Sequence, residues 1–361
     1  MSSTTSIPKT GRAAVLTHLG NPYDLQDFPV KQPSELAIGE CLIKMEYAGC
    51  CHSDLHVRDN DWGFPVQVPL VGGHEGIGRV VAIGEHTQTS VKVGDRVGLK
   101  WIALSCLRYL SSFDVSFSPD VNLFLRYLGV RCASAGGRAL AWSNVAMDVP
   151  NTERSPSTVS FTDYVTPIPE SLDPAAATPI LCAGITIYKA IKETKATIGE
   201  WVAISGAGGG LGHLDTGSSK KELCAKLGAD KWIDFMESKD VVKDVQEATG
   251  GLGPHAAVIA VGNPTPFNQA LMYLRPTGTL VCAGVPVTGT MLQVPLTMFV
   301  PKCLHIVGTA TGNRQDMTEA LDIVASGKVK CHHVVKPLSE VNDVMEEMSK
   351  GNLTGRVVFK I

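Results

Sequence analysis

The chain has 361 residues, with 32 Lys and Arg against 35 Asp and Glu, a formal net charge of −3. At roughly 100–200 residues per domain this length suggests two domains with a full core, and the near-neutral balance offers no basic face for nucleic acid. Apolar residues make up 44% and charged residues 19%, which argues against long disordered stretches, and no apolar run approaches the ~18 residues of a membrane span.

In chain order, Met1–Thr10 has neither an apolar signal-peptide core nor an Arg-rich amphipathic face, so no targeting segment is read and a cytoplasmic protein is expected. Ten cysteines are too dilute for a disulfide scaffold and are expected as free thiols or metal ligands. From about Gly11 to Lys100 the sequence is β-rich. Apolar runs at Ala13–Leu16, Glu40–Ala48, Gly78–Ile83 and Arg96–Leu99 are separated by Gly, Pro and Asp turns. The glycine-rich stretch Val71–Gly78 suggests close backbone approaches in a compact barrel. From Leu107 to about Ser160 no periodicity is evident and irregular structure is expected; pattern returns at Val165–Glu170.

After Pro174 the period changes. Ala175–Lys192 predicts a helix and Trp201–Ser205 a buried parallel strand. Lys220–Leu227, Val241–Thr249 and Pro266–Leu274 then read as helices, alternating with strands at Lys231–Asp234, Ala256–Val261 and Thr279–Ala283. This alternation predicts an α/β fold with a doubly wound parallel sheet. Met317–Ser326 and Val341–Lys350 read as further helices, and Arg356–Ile361 as a closing strand.

Three separated segments carry zinc-type ligands: Cys51–His56, Gly73–Gly76 and Leu181–Gly184. A catalytic zinc takes three protein ligands and keeps one position open. Cys51, His74 and Cys182 would supply two thiolates and an imidazole, leaving a Lewis acid suited to an alcohol. Asp54 would orient His74, and Ser53 with His56 would carry a proton outward. The loop Ser205–Gly212 follows a predicted strand, and Gly206, Gly209 and Gly212 suit the tight turn that places a pyrophosphate at a helix N-terminus.

The segments Gly49–His56, Pro69–Gly78, Val93–Val97 and Thr178–Tyr188 resemble the zinc-dependent alcohol dehydrogenases of the medium-chain dehydrogenase/reductase superfamily, the fungal, yeast-type enzymes most of all. The resemblance covers about residues 8–106 and 164–361. It implies a GroES-like, β-rich catalytic domain from residues 1–183 and 310–361, and a Rossmann doubly wound parallel-sheet domain from residues 184–309. It also implies NAD-linked interconversion of primary alcohols and aldehydes, in a family whose yeast-type members assemble as tetramers.

Residue by residue, the resemblance makes Cys51, His74 and Cys182 the catalytic zinc ligands, and Glu75 an acid that reaches the metal transiently. Ser53 and His56 match the proton relay, His52 a pyrophosphate contact, and Trp62 an aromatic that narrows the pocket toward small primary alcohols. Gly206, Gly209, Gly210, Leu211 and Gly212 match the NAD loop, with Asp215 for the ribose hydroxyls and Lys220 beside it. Val285 matches a residue near nicotinamide and Arg356 one that holds a phosphate.

The chain departs from the family in two places. The ribose acid belongs about 20 residues beyond the glycines, after a helix and a strand, yet only His213 and Leu214 separate Gly212 from Asp215. Three steps span at most ~10 Å, whereas a crossover with its helix takes at least ~10–12 residues, so that helix and strand are missing. The second departure is at 107–160. There the family has four closely spaced cysteines holding a structural zinc, but this chain has only Cys106 and the distant Cys132. No structural zinc is expected. Back-translated and read one base out of frame, Glu153–Thr158 gives Gly-Thr-Phe-Ser-Glu-Tyr, similar to what the family carries after that lobe. Our hypothesis is that 107–160 is out-of-frame or intron-derived and that the 212–215 junction lost coding sequence, which genomic DNA encoding neither the absent cysteines nor the absent helix would exclude. Two other readings stand beside the dehydrogenase. One is a non-catalytic zinc-binding remnant with impaired cofactor binding; the other is a zinc-free quinone or enoyl reductase, against which the intact ligand set argues.

Overall fold

Strand Glu40–Cys50 organises the first half of the structure, a computed structural model that describes residues 7–63, 66–100, 147–148, 157–207 and 217–361. Cys41, Leu42, Ile43, Met45 and Ala48 are at most 1% exposed, so both faces of this strand are covered. Strand Gly76–Ile83 runs antiparallel along one edge, with Cys41 opposite Ile83 and Ala48 opposite Gly76. Two strands share the other edge. Ser157–Phe161 pairs with its first half (Cys41 opposite Ser160) and Arg356–Lys360 with its second (Val358 opposite Gly49). Arg96–Leu99, Thr166–Pro167 and His333–Pro337 complete a seven-stranded sheet. A smaller sheet joins Thr10–Leu16 to Asp24–Pro29, Leu70–Val71 and Met147–Asp148.

Irregular structure was expected up to Ser160, and Ser157–Phe161 corrects that expectation. The β-branched Thr158 and Val159 meet an open edge of a buried strand, and a ladder forms where sequence pattern alone is weak. Helix Val341–Ser349 packs Val344 and Met345 into the same core as Ile43, Met45 and Leu99. The C-terminal segment therefore closes the first half of the chain.

The expected helix over Ala175–Lys192 is broken. Pro174–Ala177 and a 3₁₀ turn Thr178–Leu181 precede Ala183–Thr194, with a 52° bend between the two halves. Pro179 removes an amide donor, and Cys182 at the break has φ −129° and ψ −68°, which swings its thiol off the helix line. Among the described residues, no single helix is long and apolar enough to cross a membrane.

Four parallel strands form the second unit in the order Val202–Ser205, Ala256–Ile259, Thr279–Cys282, His305–Gly308. Ala256–Ile259 is fully buried along its whole length, as a central parallel strand should be. Helix Ala183–Thr194 sets Ile187 and Ala190 against Val258 and Val281 on one face. Helix Pro264–Tyr273 sets Phe267 and Leu271 against Ile259 and Leu280 on the other.

Val202–Ser205 lies at the sheet's edge, and among the described residues no strand pairs with its outer side. Lys231–Asp234, expected as a strand, has no ladder partner and is not one. It faces Val202–Ser205 across a cavity of about 450 Å³ walled by Trp232, Ile233 and Phe235. A second, mostly apolar cavity of about 400 Å³ flanks the same strand between Ile187, Leu223, Leu227 and Val324. Ile204, which would be covered in a complete doubly wound sheet, is 41% exposed. The short link between Gly212 and Asp215 is the physical reason: two intervening residues leave no length for a helix and a strand to cover this edge.

Candidate metal centre

Helix His52–Asp59 starts directly after strand Glu40–Cys50, with Cys51 in extended conformation at the junction. Asp54, in the helix's first turn, accepts the Cys51 N–H at 2.9 Å through Oδ2. Its Oδ1 lies 3.0 Å from His74 Nδ1. One buried carboxylate therefore caps the helix and orients the imidazole, turning Nε2 toward the sulfurs. His74 and Glu75 sit between Leu70–Val71 and Gly76–Ile83, both fully buried, after Gly73 turns the chain at φ +94°. Cys182 arrives from the helix break. The donor atoms of Cys51, His74, Glu75 and Cys182 all lie within 4.8 Å of one another.

The electrostatics are those of a cation site. A hydrogen bond with Cys182, helped by Arg356 and His74, holds the Cys51 thiol well below its ordinary pKa. The same bond, followed by burial, pushes Cys182 well above its own. Burial opposes charge on His74, yet the charge and hydrogen bond of Asp54 carry its pKa well above the usual range. Burial pushes Glu75 up to about 7, against the pull of Arg356. Two thiols, an imidazole and a carboxylate at this spacing match zinc's preferred donors, so the residues fit that ion.

Glu75 Oε1 accepts a hydrogen bond from Arg356 Nη2, while its buried Oε2 has no hydrogen-bond partner. Glycine is required at Gly49, where a Cβ would stand 2.1 Å from that Oε2. Arg356, read as a phosphate ligand, is thus 6% exposed and paired with an acid. Removing one member of a buried pair strands the other charge, so Arg356→Met is expected to lower stability by about 3–5 kcal/mol. A denaturant midpoint unchanged from wild type would exclude this.

A cleft lies between helix His52–Asp59 and the C-terminal ends of two parallel strands, where open α/β sheets bind ligands. His52, Ser53, His56, Trp62, Val285 and Arg356 all line it beside Cys51. Ser53 Oγ is 3.7 Å from Cys51 Sγ, and Val285 is half exposed at the mouth. The small residues Gly262 and Gly284 keep the far wall thin. A Cβ on Gly284 would lie 2.1 Å from the Val261 carbonyl oxygen. Sequence reasoning missed both glycines, although each directly follows a predicted strand.

The cofactor loop is only partly in view. Gly206 ends strand Val202–Ser205 with φ +96°. Gly209, Gly210, Leu211, Gly212 and Asp215 lie outside the described residues, as do Cys106 and Cys132. Lys220 is buried on helix Ser218–Lys226, and its amine donates to the Gly351 carbonyl at 3.4 Å, so it is not brought to the cleft residues.

A β-rich unit with a buried Cys-His-Cys cluster, opening onto the strand ends of a parallel sheet, defines a metal-binding dehydrogenase architecture. The alcohol dehydrogenase GroES-like domain matches over residues 37–142 and the zinc-binding dehydrogenase domain over 206–326. Alcohol dehydrogenase 1 of Neurospora crassa is 37% identical, covering 98% of this chain and 97% of its own. The alcohol dehydrogenase of Schizosaccharomyces pombe is 36% identical, covering 99% of both. Among solved structures, the alcohol dehydrogenase of Aeropyrum pernix superposes with a TM-score of 0.78 at 25% identity, covering 97% of this chain and 100% of its own. The chain belongs to the zinc-dependent alcohol dehydrogenase family of the medium-chain superfamily.

Proposed function

We propose that this chain is an alcohol dehydrogenase that passes a hydride between a small primary alcohol and NAD. The observation that carries the reading is the buried Cys51–His74–Cys182 cluster with Glu75 beside it, opening onto the strand-end cleft. Zinc held by Cys51, His74 and Cys182 would supply Lewis acidity toward the alcohol oxygen. Asp54 holds the His74 ring, Ser53 takes up the alcohol proton, and His56 passes it on. Glu75 stands ready as an alternative ligand, its Oε2 unpartnered. Trp62 narrows the alcohol pocket, Val285 lies against the nicotinamide, and His52 faces the pyrophosphate. In this reading residues 1–183 and 310–361 form the catalytic domain and 184–309 the cofactor domain, the whole acting in the cytoplasm.

A second reading, a zinc-binding remnant, is favoured by one observation: among the described residues no strand pairs with the outer side of Val202–Ser205 in the cofactor sheet. The two are separated by measuring zinc content together with NAD-linked turnover across a series of short primary alcohols. One zinc per chain with turnover is the expected result. Zinc without NADH binding at any concentration would establish the remnant, and absence of zinc would overturn both.

A further inference from the structure

His56 is held on three sides. Its Nδ1 lies 2.7 and 2.9 Å from the two carboxylate oxygens of Asp61. Its ring stacks on Trp62, centroids 4.6 Å apart and planes inclined by 22°. The ring of His52 meets it edge-on at 5.2 Å. The fourth side faces the cleft: a Cβ on Gly262 would stand 4.0 Å from His56 Nε2. We propose that Asp61 is a positioning residue that fixes His56 in one tautomer, with the Nε2 lone pair turned to the cleft. This inference rests on the proton-relay reading of His56.

Local structure explains how Asp61 comes to be there. The helix His52–Asp59 stops at Asn60, whose left-handed φ of 53° and ψ of 33° turn the chain back on its own last turn. The opposite wall then pins the loop. The Asp61 carbonyl accepts the Thr288 N–H at 3.2 Å, and the neighbouring Trp62 carbonyl accepts the Thr288 hydroxyl. Asp61 is therefore fixed from the cofactor side of the cleft, independently of the helix that carries His56.

The chemistry follows from hydrogen-bond inventory. An ionised carboxylate only accepts, whereas a neutral imidazole has one N–H and one lone pair. Asp61 thus requires the proton on Nδ1 and leaves Nε2 as the acceptor. A proton passed from Ser53 would cross to Nε2, and the imidazolium formed would be paired with the Asp61 carboxylate until water takes the proton up. The carboxylate is 33% exposed, so water reaches this end. The titratable groups facing the ring are Asp61 from the loop and His52 from its own helix; Trp62, Gly262 and Val285 bring no charge.

The test uses the zinc-loaded full chain. Nitrogen-15 NMR of the imidazoles, with His56→Gln to assign the signal, is expected to report the Nδ1–H tautomer in wild type. Asp61→Asn offers an amide N–H to Nδ1 and is expected to abolish that tautomer preference. Asp61→Glu restores it. In turnover, Asp61→Asn lowers kcat about tenfold near neutral pH, less than the roughly 10²–10⁴-fold of a lost general base because only its orientation is lost, with the alcohol KM unchanged. The deficit closes as pH rises and hydroxide replaces the relay. A wild-type tautomer in Asp61→Asn would overturn the inference, whether or not the chain turns over. Wild-type kcat in His56→Gln would instead overturn the relay reading beneath it.

Discussion

Cys182→Ala is expected to release the bound zinc on dialysis and to cut alcohol turnover by about 10³-fold or more, since Lewis-acid stabilisation supplies several kcal/mol and each 1.36 kcal/mol is tenfold. Cys182 occupies the single residue at which the Pro174–Thr194 helical stretch bends by 52°, so no neighbouring side chain can take its place. It is also the partner that holds the Cys51 thiol low. Removing it takes one sulfur donor away outright and leaves Cys51 as a buried thiol with less tendency to ionise. Glu75 can offer its free Oε2, but a single carboxylate oxygen is a weaker donor to zinc than the thiolate it would replace. Cys41→Ala, a buried thiol outside the cluster, should keep its zinc. Asp54→Asn should fall between them, weakening zinc by about 10–100-fold as loss of a ligand's orienting partner does. Full zinc retention in dialysed Cys182→Ala would remove Cys182 from the ligand set.

That Cys51, His74 and Cys182 come together was legible because each sits in a short motif whose local residues are themselves informative: the Asp54 three positions after Cys51, the glycines around His74, the Pro179 before Cys182. The Glu75–Arg356 pair was not. The two are 281 residues apart in sequence, and they meet only because Arg356–Lys360 returns to pair with the second half of Glu40–Cys50. Asp61 was invisible for a different reason. Its role depends on a left-handed turn at Asn60 and on Thr288 reaching across the cleft, neither of which has a periodic signature. Strands with two partners, such as Ala256–Ile259 and Thr279–Cys282, were read within two residues of their ends. Lys231–Asp234 has strand-like residues yet forms no strand, because propensity needs a ladder to act on. Ser157–Phe161 makes the converse point, since an available edge recruited a segment without strong pattern.

NADH is expected to bind this chain roughly 20- to 1,000-fold more weakly than it binds a dehydrogenase with the complete crossover, and the NAD KM should be raised to match. The adenosine end of the cofactor normally gains from a helix N-terminus beneath its pyrophosphate and from an acid on its ribose hydroxyls. With Asp215 three steps beyond Gly212, no helix fits between them, and Lys220 spends its amine on Gly351. Losing one charged hydrogen bond, worth about 1.5–3 kcal/mol, and the dipole contribution of about 0.3–1 kcal/mol costs roughly 20- to 1,000-fold in affinity. The nicotinamide end is different, because Gly262 follows strand Ala256–Ile259, Gly284 and Val285 follow strand Thr279–Cys282, and Trp62 follows helix His52–Asp59, and all three elements are present. Nicotinamide mononucleotide, which lacks the adenosine half, should therefore support turnover nearly as well as NAD, with kcat/KM ratios close to one. Inserting a helix-and-strand crossover of about 15 residues after Gly212 should separate the two cofactors again. It would fill the cavities of about 450 and 400 Å³ beside Val202–Ser205, cover Ile204, raise the melting temperature, and restore the preference for NAD. An NADH Kd for the unaltered chain, by fluorescence titration, equal to that of the insertion variant would contradict this. It would mean that residues between Gly206 and Gly217 bind the adenosine half without a helix N-terminus beneath its pyrophosphate.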